Sequence, residues 1–382
     1  MKRLISLLVL ACLVFTSSLG LVGCSGLEKE QKSDTTKTTK TSIDTIKEEQ
    51  EEEDTDYEKR TDITPSGTDT ALNTISNENT GEPKKDNIQE DIPSLWITLY
   101  YQDRDGYIVP ASRKIAKQEG IARAAVSLLV DNSINREEIE YFGLYPVLPS
   151  GTEILGLNIK EGIATIDFDK DFLNYSDETT EKNIVSSVVY TLTEFSTIEG
   201  VKILINGHTV NNMKYNTNLS GVLGRDNTLI NSDRINLDKD MAKQDVYFYK
   251  RVNDRYEYLL PVSRMYPKTG SSDTLALITR FLSEDPGIEH LYTQVPNGVE
   301  LLNNSMDGST LVLDFDARLT SYGGGTAREY GIINQFLYTV RGMGGIDRIR
   351  FLVMGKPANF PEGTSVSKDY IIPALINSVI DE

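Results

Sequence analysis

The sequence predicts an α+β protein made of two tandem two-layer sandwich domains of order ββαββαβ, carried behind a disordered tether. Three observations point there: an internal repeat with an offset close to 148, a period-2 then period-3.6 apolar pattern within each copy, and a polar stretch with no core before them. The repeat runs in order along the chain. Ile97 to Arg113 parallels Val246 to Arg264, and Leu148 to Leu155 parallels Val295 to Leu302. Ile163 to Asp169 then parallels Thr310 to Asp316, Tyr190-Thr191 parallels Tyr338-Thr339, and Ile203 to Gly207 parallels Phe351 to Gly355.

Each element of a copy follows from its pattern. Ile97, Leu99 and Tyr101 alternate with more polar neighbours, and Asp103-Arg104-Asp105-Gly106 turns the chain into a second strand ending near Arg113. Ile121, Ala124, Ala125, Leu128 and Leu129 fall at helical spacing, as do Leu275, Ile278 and Leu282. Thr152 to Ile159 and Ile163 to Phe168 flank Lys160-Glu161-Gly162, so a second hairpin follows. Ile184, Val185, Val188, Val189, Leu192 and Phe195 mark a helix opening at Ser176, with Asp177 and Glu178 suiting its positive end, and Ile332, Ile333, Phe336, Leu337 and Val340 repeat it. Val201 to Ile205 and Ile349 to Val353 close the two units as strands.

The first residues read as an export signal: Lys2 and Arg3, an apolar run from Leu4 to Leu19, then Leu21-Val22-Gly23-Cys24. The tetrapeptide resembles the bacterial lipobox, which implies acylation of Cys24, cleavage before it, and a chain held by acyl groups on the extracytoplasmic face of the cell membrane. Since Cys12 leaves with the signal at residues 1–23, the mature chain has no disulfide and no zinc-thiolate site. Residues 24–93 form the tether. Its stretch 28–91 holds 19 acidic and 9 basic residues with few apolar ones, so disorder is expected. The overall charge of −18 argues against a nucleic-acid partner, which would select a basic face.

Residues 94–209 and 244–360 then form the two domains, joined by residues 210–243, too long for a tight turn. Val222, Leu223, Leu229, Ile230, Ile235 and Leu237 can pack this connection against a domain and fix the orientation of the copies. In the tail, residues 361–382, Pro373 is fit to start a short helix, and the apolar residues from Ile371 to Ile380 cover an open core edge or dock into a partner groove.

Both copies resemble the GerM domain of sporulation and spore-germination lipoproteins from endospore-forming bacteria. The segments that carry the likeness are Leu148-Pro149-Ser150-Gly151-Thr152, Ala164 to Phe168, Tyr190 to Phe195 and Leu204 to His208. Copy two departs at Val340-Arg341-Gly342-Met343-Gly344, which leaves its helix end open. The family implies domains similar to ring-building motifs, and a non-enzymatic part in assembling an envelope complex between mother cell and forespore.

The repeat also acts as a control on chemistry, because residues present in both copies serve the shared fold more readily than a single active site. Asp167 and Asp169 recur as Asp314 and Asp316, Arg113 as Arg264, and Gly207 as Gly355. Carboxylates at i and i+2 on a strand point the same way and can bind a cation, but neither a helical His pair nor a calcium loop accompanies them. Strand-end hydrogen bonding is expected of the aspartates, and hairpin anchoring of the arginines. His208 and His290 lie in no nucleophile motif, and Gly323-Gly324-Gly325 lacks a Walker lysine. We therefore expect no catalytic residue, metal, cofactor or small-molecule substrate, and partners that are the membrane and envelope proteins. An extracytoplasmic ligand-binding or sensing module is the alternative.

Overall fold

The computed structural model describes residues 93–268, 273–364 and 368–379, all within one compact unit. Leu21, Val22, Gly23, Cys24 and nearly all of the tether lie outside these residues. Copy one runs β1 (Ser94–Asp103), β2 (Ile108–Ala116), α1 (Ile121–Ser127), α2 (Ser133–Glu140), β3 (Leu144–Tyr145), β4 (Ile154–Lys160), β5 (Ile163–Phe168), α3 (Glu178–Leu192), β6 (Gly200–Ile205) and β7 (His208–Thr209). Copy two runs β8 (Met241–Val252), β9 (Tyr256–Pro267), α4 (Thr274–Ser283), β10 (Leu291–Tyr292), β11 (Leu301–Asp307), β12 (Thr310–Phe315), α5 (Gly325–Val340), β13 (Arg348–Val353), β14 (Lys356–Pro357) and β15 (Tyr370–Ile371). The expected ββαββαβ order is present twice. Short strands are added to it, and among the described residues helix α2 occurs in copy one alone.

Hydrogen bonding divides each copy into two sheets rather than one. The hairpin sheets have order β2-β1-β3 and β10-β8-β9; the others run β4-β5-β6-β7 and β11-β12-β13-β14, with β15 also on β13. β5 pairs in parallel with β6, and β12 with β13, because a long helix crosses over between them. Helices α3 and α5 are covered on nearly all sides: Ile184, Val188, Val189 and Leu192 are fully buried in one, and Ile332 and Val340 in the other. Each such side chain contributes about 1.5–3 kcal/mol through removal from water.

Proline decides how the helix meets the hairpin. Tyr100 stands opposite Pro110, and Tyr247 opposite Pro261. A proline has no N–H to exchange, so the tyrosine backbone groups turn outward, away from the partner strand. The helix hydroxyls and amide meet them there. Tyr100 N–H donates to Thr191 Oγ1 at 3.1 Å, and Ser187 Oγ donates to the Tyr100 carbonyl. In copy two Tyr247 N–H donates to Thr339 Oγ1 at 3.1 Å and Gln335 Nε2 donates to the Tyr247 carbonyl at 2.9 Å.

This register corrects the sequence alignment of the first strand. Tyr100 is equivalent to Tyr247, so Leu99 matches Val246, and the hairpin of copy two is longer: 13 residues lie between Tyr247 and Pro261, against 9 between Tyr100 and Pro110. Two more expectations change. Asp177, not Ser176, caps α3, its side chain accepting from Thr180 N–H, because the carboxylate sits one residue closer to the exposed N–H groups. Residues 372–379 form no helix. Their backbone pairs with the open edge of β2, where Ser112 N–H donates to the Ile376 carbonyl and Val379 N–H to the Ser112 carbonyl, both at 2.9 Å, and Ile376 and Val379 are buried.

Candidate functional site

The residues that most set this fold apart lie on the seam between the copies. β2 and β9 are both edge strands carrying a proline, and among the described residues no backbone ladder joins them. Two asparagines bridge them. Asn231, from the connection, accepts from Ile108 N–H at 2.7 Å and donates to the carbonyls of Ile108 and Pro261, both at 2.8 Å. Asn377, from the tail, accepts from Leu259 N–H at 3.0 Å and donates to the carbonyls of Leu259 and Pro110, both at 2.7 Å. Since Ile108 and Pro110 correspond to Leu259 and Pro261, the two clasps are related by an approximate twofold axis. Each asparagine adopts the left-handed backbone its side chain tolerates, φ 49° and 45°.

The serines at the same place complete the pattern. Ile230 N–H donates to Ser263 Oγ and Ser263 N–H to the Ile230 carbonyl, while Ile376 and Ser112 make the same pair of contacts. The sequence held a signal for this. Leu229-Ile230-Asn231-Ser232 recurs as Leu375-Ile376-Asn377-Ser378, outside the boundaries of the repeat as first read. The connection therefore packs as expected, with Leu223, Leu229 and Ile230 buried, although Val222 stays exposed.

Charge crosses the seam where the copies differ. Asp103 and Lys250 hold equivalent positions, paired respectively with Leu144 on β3 and Leu291 on β10. Lys250 Nζ lies 2.5 Å from Asp103 and 2.6 Å from Asp105, with its side chain only 2% exposed. Burial alone would depress the ammonium, but the two carboxylates outweigh it and hold the group above its ordinary value. Glu194, at the end of α3, meets Arg225 of the connection at 2.6 Å and Arg341, just beyond α5, at 3.0 Å. Burial opposes its charge, yet the two guanidinium groups hold it below the usual glutamate range. The departure at Arg341 is thus a contact across the seam.

An asymmetric brace lies alongside. The longer hairpin of copy two packs on the residues after α2, with Tyr256 5.7 Å from Phe142 between ring centres, and Arg255 over Tyr141. Gly143 makes this approach possible. Its φ is +73°, and a Cβ there would lie 2.5 Å from both Val252 and Asn253.

The residues singled out from the sequence sit apart from the seam. Asp167 accepts from Gly207 N–H at 2.8 Å and Asp314 from Gly355 N–H at 2.9 Å, closing equivalent turns in which both glycines have φ 75°. Asp169 accepts from Glu153 N–H at 2.9 Å; Asp316 accepts from Arg318 N–H at 3.2 Å. Arg113 meets Glu138 at 2.9 Å, whereas Arg264 donates to the Pro286 carbonyl. His208 is exposed, His290 lies 3.4 Å from Glu289, and Gly323 accepts from Arg328 before α5. Among the described residues no cluster of three His, Cys, Asp or Glu side chains is placed to hold a metal ion. Sequence reading missed a repeated pair, Glu181 and Glu329, both fully buried. Glu181 accepts from Tyr215 and Thr217 N–H, and Glu329 from Glu362 and Thr364 N–H. Their spacing equals the repeat offset, which was the available clue.

Among the described residues, β4 and β11 each end a sheet and pair with a single neighbour. Leu155 and Leu302 stand at matching register shifts of β4 and β11 and are 49% and 48% exposed. Ile159 and Met306, four residues on, are exposed as well.

The Germane domain family, described as "Sporulation and spore germination", matches residues 98–211 and 245–359. The chain belongs to this family. It is 27% identical over 319 residues, 80% of this chain and 85% of the relative, to the spore germination protein GerM of Bacillus subtilis strain 168. The solved tandem GerMN domains of GerM from Bacillus subtilis align with a TM-score of 0.64 at 26% identity, covering 74% of this chain and 99% of that one. The chain is thus a GerM-like member of a sporulation and spore-germination family, with two tandem domains of the family fold.

Proposed function

We propose that this protein is a non-enzymatic scaffold, tethered by acyl groups on Cys24 to the extracytoplasmic face of the membrane, which helps assemble an envelope complex during sporulation. The observation that carries the reading is the pair of matching open edges, Leu155 with Ile159 and Leu302 with Met306, on copies locked together by the asparagine seam. Apolar side chains on an unpaired edge strand are a liability unless a partner covers them. Two such edges held in one orientation suit a part that links other proteins. The repeated polar residues, Asp167, Asp169, Asp314 and Asp316, are spent on turns and strand ends, which agrees with a role lacking chemistry.

The test is site-specific photocrosslinking from Leu155, Ile159, Leu302 and Met306 in sporulating cells, with the lipidated chain in place and Cys24→Ala alongside. Adducts to envelope proteins that are lost with Cys24→Ala are expected. A correctly exported chain with no adduct at any of the four positions would remove the basis for the scaffold reading. Ligand binding is the second reading, and a cleft beside the seam favours it.

A further inference from the structure

Arg113 and Arg264 are equivalent, but among the described residues only Arg113 forms an ion pair. Arg113 meets Glu138, which stands on α2. Among the described residues copy two has no α2, so Arg264 keeps the cation and loses the acid. What remains to it is the Pro286 carbonyl, the face of Phe248 at 5.2 Å, and a buried Nε with no hydrogen-bond partner. A half-buried guanidinium with no carboxylate in ion-pair contact is unfavourable unless something else supplies the charge.

Arg264 lines a cleft of about 620 Å³ between α3 and the connection on one side and β9 with residues 286–288 on the other. The other charged groups on its walls are almost all committed. Asp105 pairs with Lys250, Glu178 with Lys182, and Arg234 with Asp238. Two are left: Arg264 and Asp233, neither of which forms an ion pair among the described residues. Burial also holds the Arg264 guanidinium below its ordinary value, with Glu284, Asp233 and Asp285 offsetting only part of that.

A cation and an anion that form no ion pair among the described residues, both on the walls of a polar cleft, match a ligand that carries both charges. We propose that the cleft binds a small zwitterion, its carboxylate on Arg264 and its ammonium on Asp233. This goes beyond the scaffold reading and stands without it, since it uses no edge strand and no partner protein. A planar carboxylate suits the guanidinium fork, whereas a phosphate dianion would also face Asp233.

Free amino acids and peptide termini share this chemistry, so isothermal titration of the purified full chain uses glycine, triglycine, malonate and inorganic phosphate. Saturable binding of glycine or of triglycine is expected, and which of the two binds separates the sources. Arg264→Gln and Asp233→Asn should each weaken it by about tenfold or more, as loss of a charge-assisted contact does. Arg113→Gln should leave it unchanged. Asp233 is exposed, so its variant folds and decides the matter even if Arg264→Gln does not. Malonate or phosphate binding that survives Asp233→Asn would show a plain anion site and overturn the proposal. So would the absence of saturable heat from glycine and triglycine up to about 10 mM, near the weakest affinity such contacts give.

Discussion

Asp103 and Lys250 occupy the same position in the two copies and form an ion pair with each other across the seam, 2.5 Å apart. Two identical copies would set like charges together at this point. The chain has instead made its halves complementary, and Glu194 with Arg341 repeats the choice, acid from copy one and base from copy two.

Removing one member of such a pair strands the other. Lys250→Met should destabilise the protein by about 3–5 kcal/mol, because Asp103 is left buried without a counter-ion. Adding Asp103→Asn should restore part of the loss, since the buried charge is then gone while an Oδ1 still accepts from the Asp105 and Tyr107 N–H groups. Urea unfolding of the single and double variants measures this directly.

Glu194 gives the seam a pH dependence. Its carboxyl is held below the ordinary value by Arg225 and Arg341, so its contribution is complete above the unfolded pKa of about 4.3 and is lost as pH falls through the lower folded value. Glu194→Gln should therefore flatten the acid limb of a stability–pH curve. Unchanged steepness below about pH 4 would mean that other carboxylates carry the acid response.

The asparagine clasps should respond as a matched pair. Asn231→Ala and Asn377→Ala each remove three hydrogen bonds and leave backbone groups of β2 and β9 unsatisfied, at about 1–3 kcal/mol each. Asn377→Asp should be no better than Ala, since a carboxylate cannot donate to the Pro110 and Leu259 carbonyls. Hydrogen exchange should show the loss first at the Ile108 amide for Asn231→Ala and at the Leu259 amide for Asn377→Ala.

Gly143→Ala tests the brace. The substituent meets both a left-handed backbone and two side chains at 2.5 Å, so about 2–4 kcal/mol of destabilisation is expected by thermal unfolding. Gly207→Ala is the comparison. Its φ is also positive, but its Cβ would meet only Asp167 at 3.9 Å, so about 1–2 kcal/mol is expected, the backbone strain alone.

Much of the fold was legible because each pattern occurs twice. The helix stripe of Ile184 to Leu192 and its echo from Ile332 to Val340 left little doubt, and the Asp167–Gly207 and Asp314–Gly355 turns follow from aligned residues. The seam was hidden because its contacts join residues far apart in sequence, such as Pro110 with Asn377. Apolar periodicity also cannot tell a tail that pairs with an edge strand from a short helix. Ile376 and Val379, three apart, fit one face of a helix, yet the unpaired backbone of β2 at Ser112 took the tail's N–H and carbonyl groups instead. Arg264 looked like a copy of Arg113 because the missing partner sits on an insertion of the other copy.

The scaffold reading locates function in the two joined domains rather than in the acidic tether. If the tether is a flexible spacer, its sequence matters little, and even halving its length shortens the mean reach only by about the square root of two. The direct measurement is sporulation efficiency of cells carrying three chains: the natural one, one with residues 30–85 replaced by a neutral Gly/Ser spacer of similar length, and one lacking either copy. We expect the spacer chain to match the natural one and each deletion to abolish function. Failure of the spacer chain, with export, abundance and lipidation normal, would contradict this and make the tether itself the binding element.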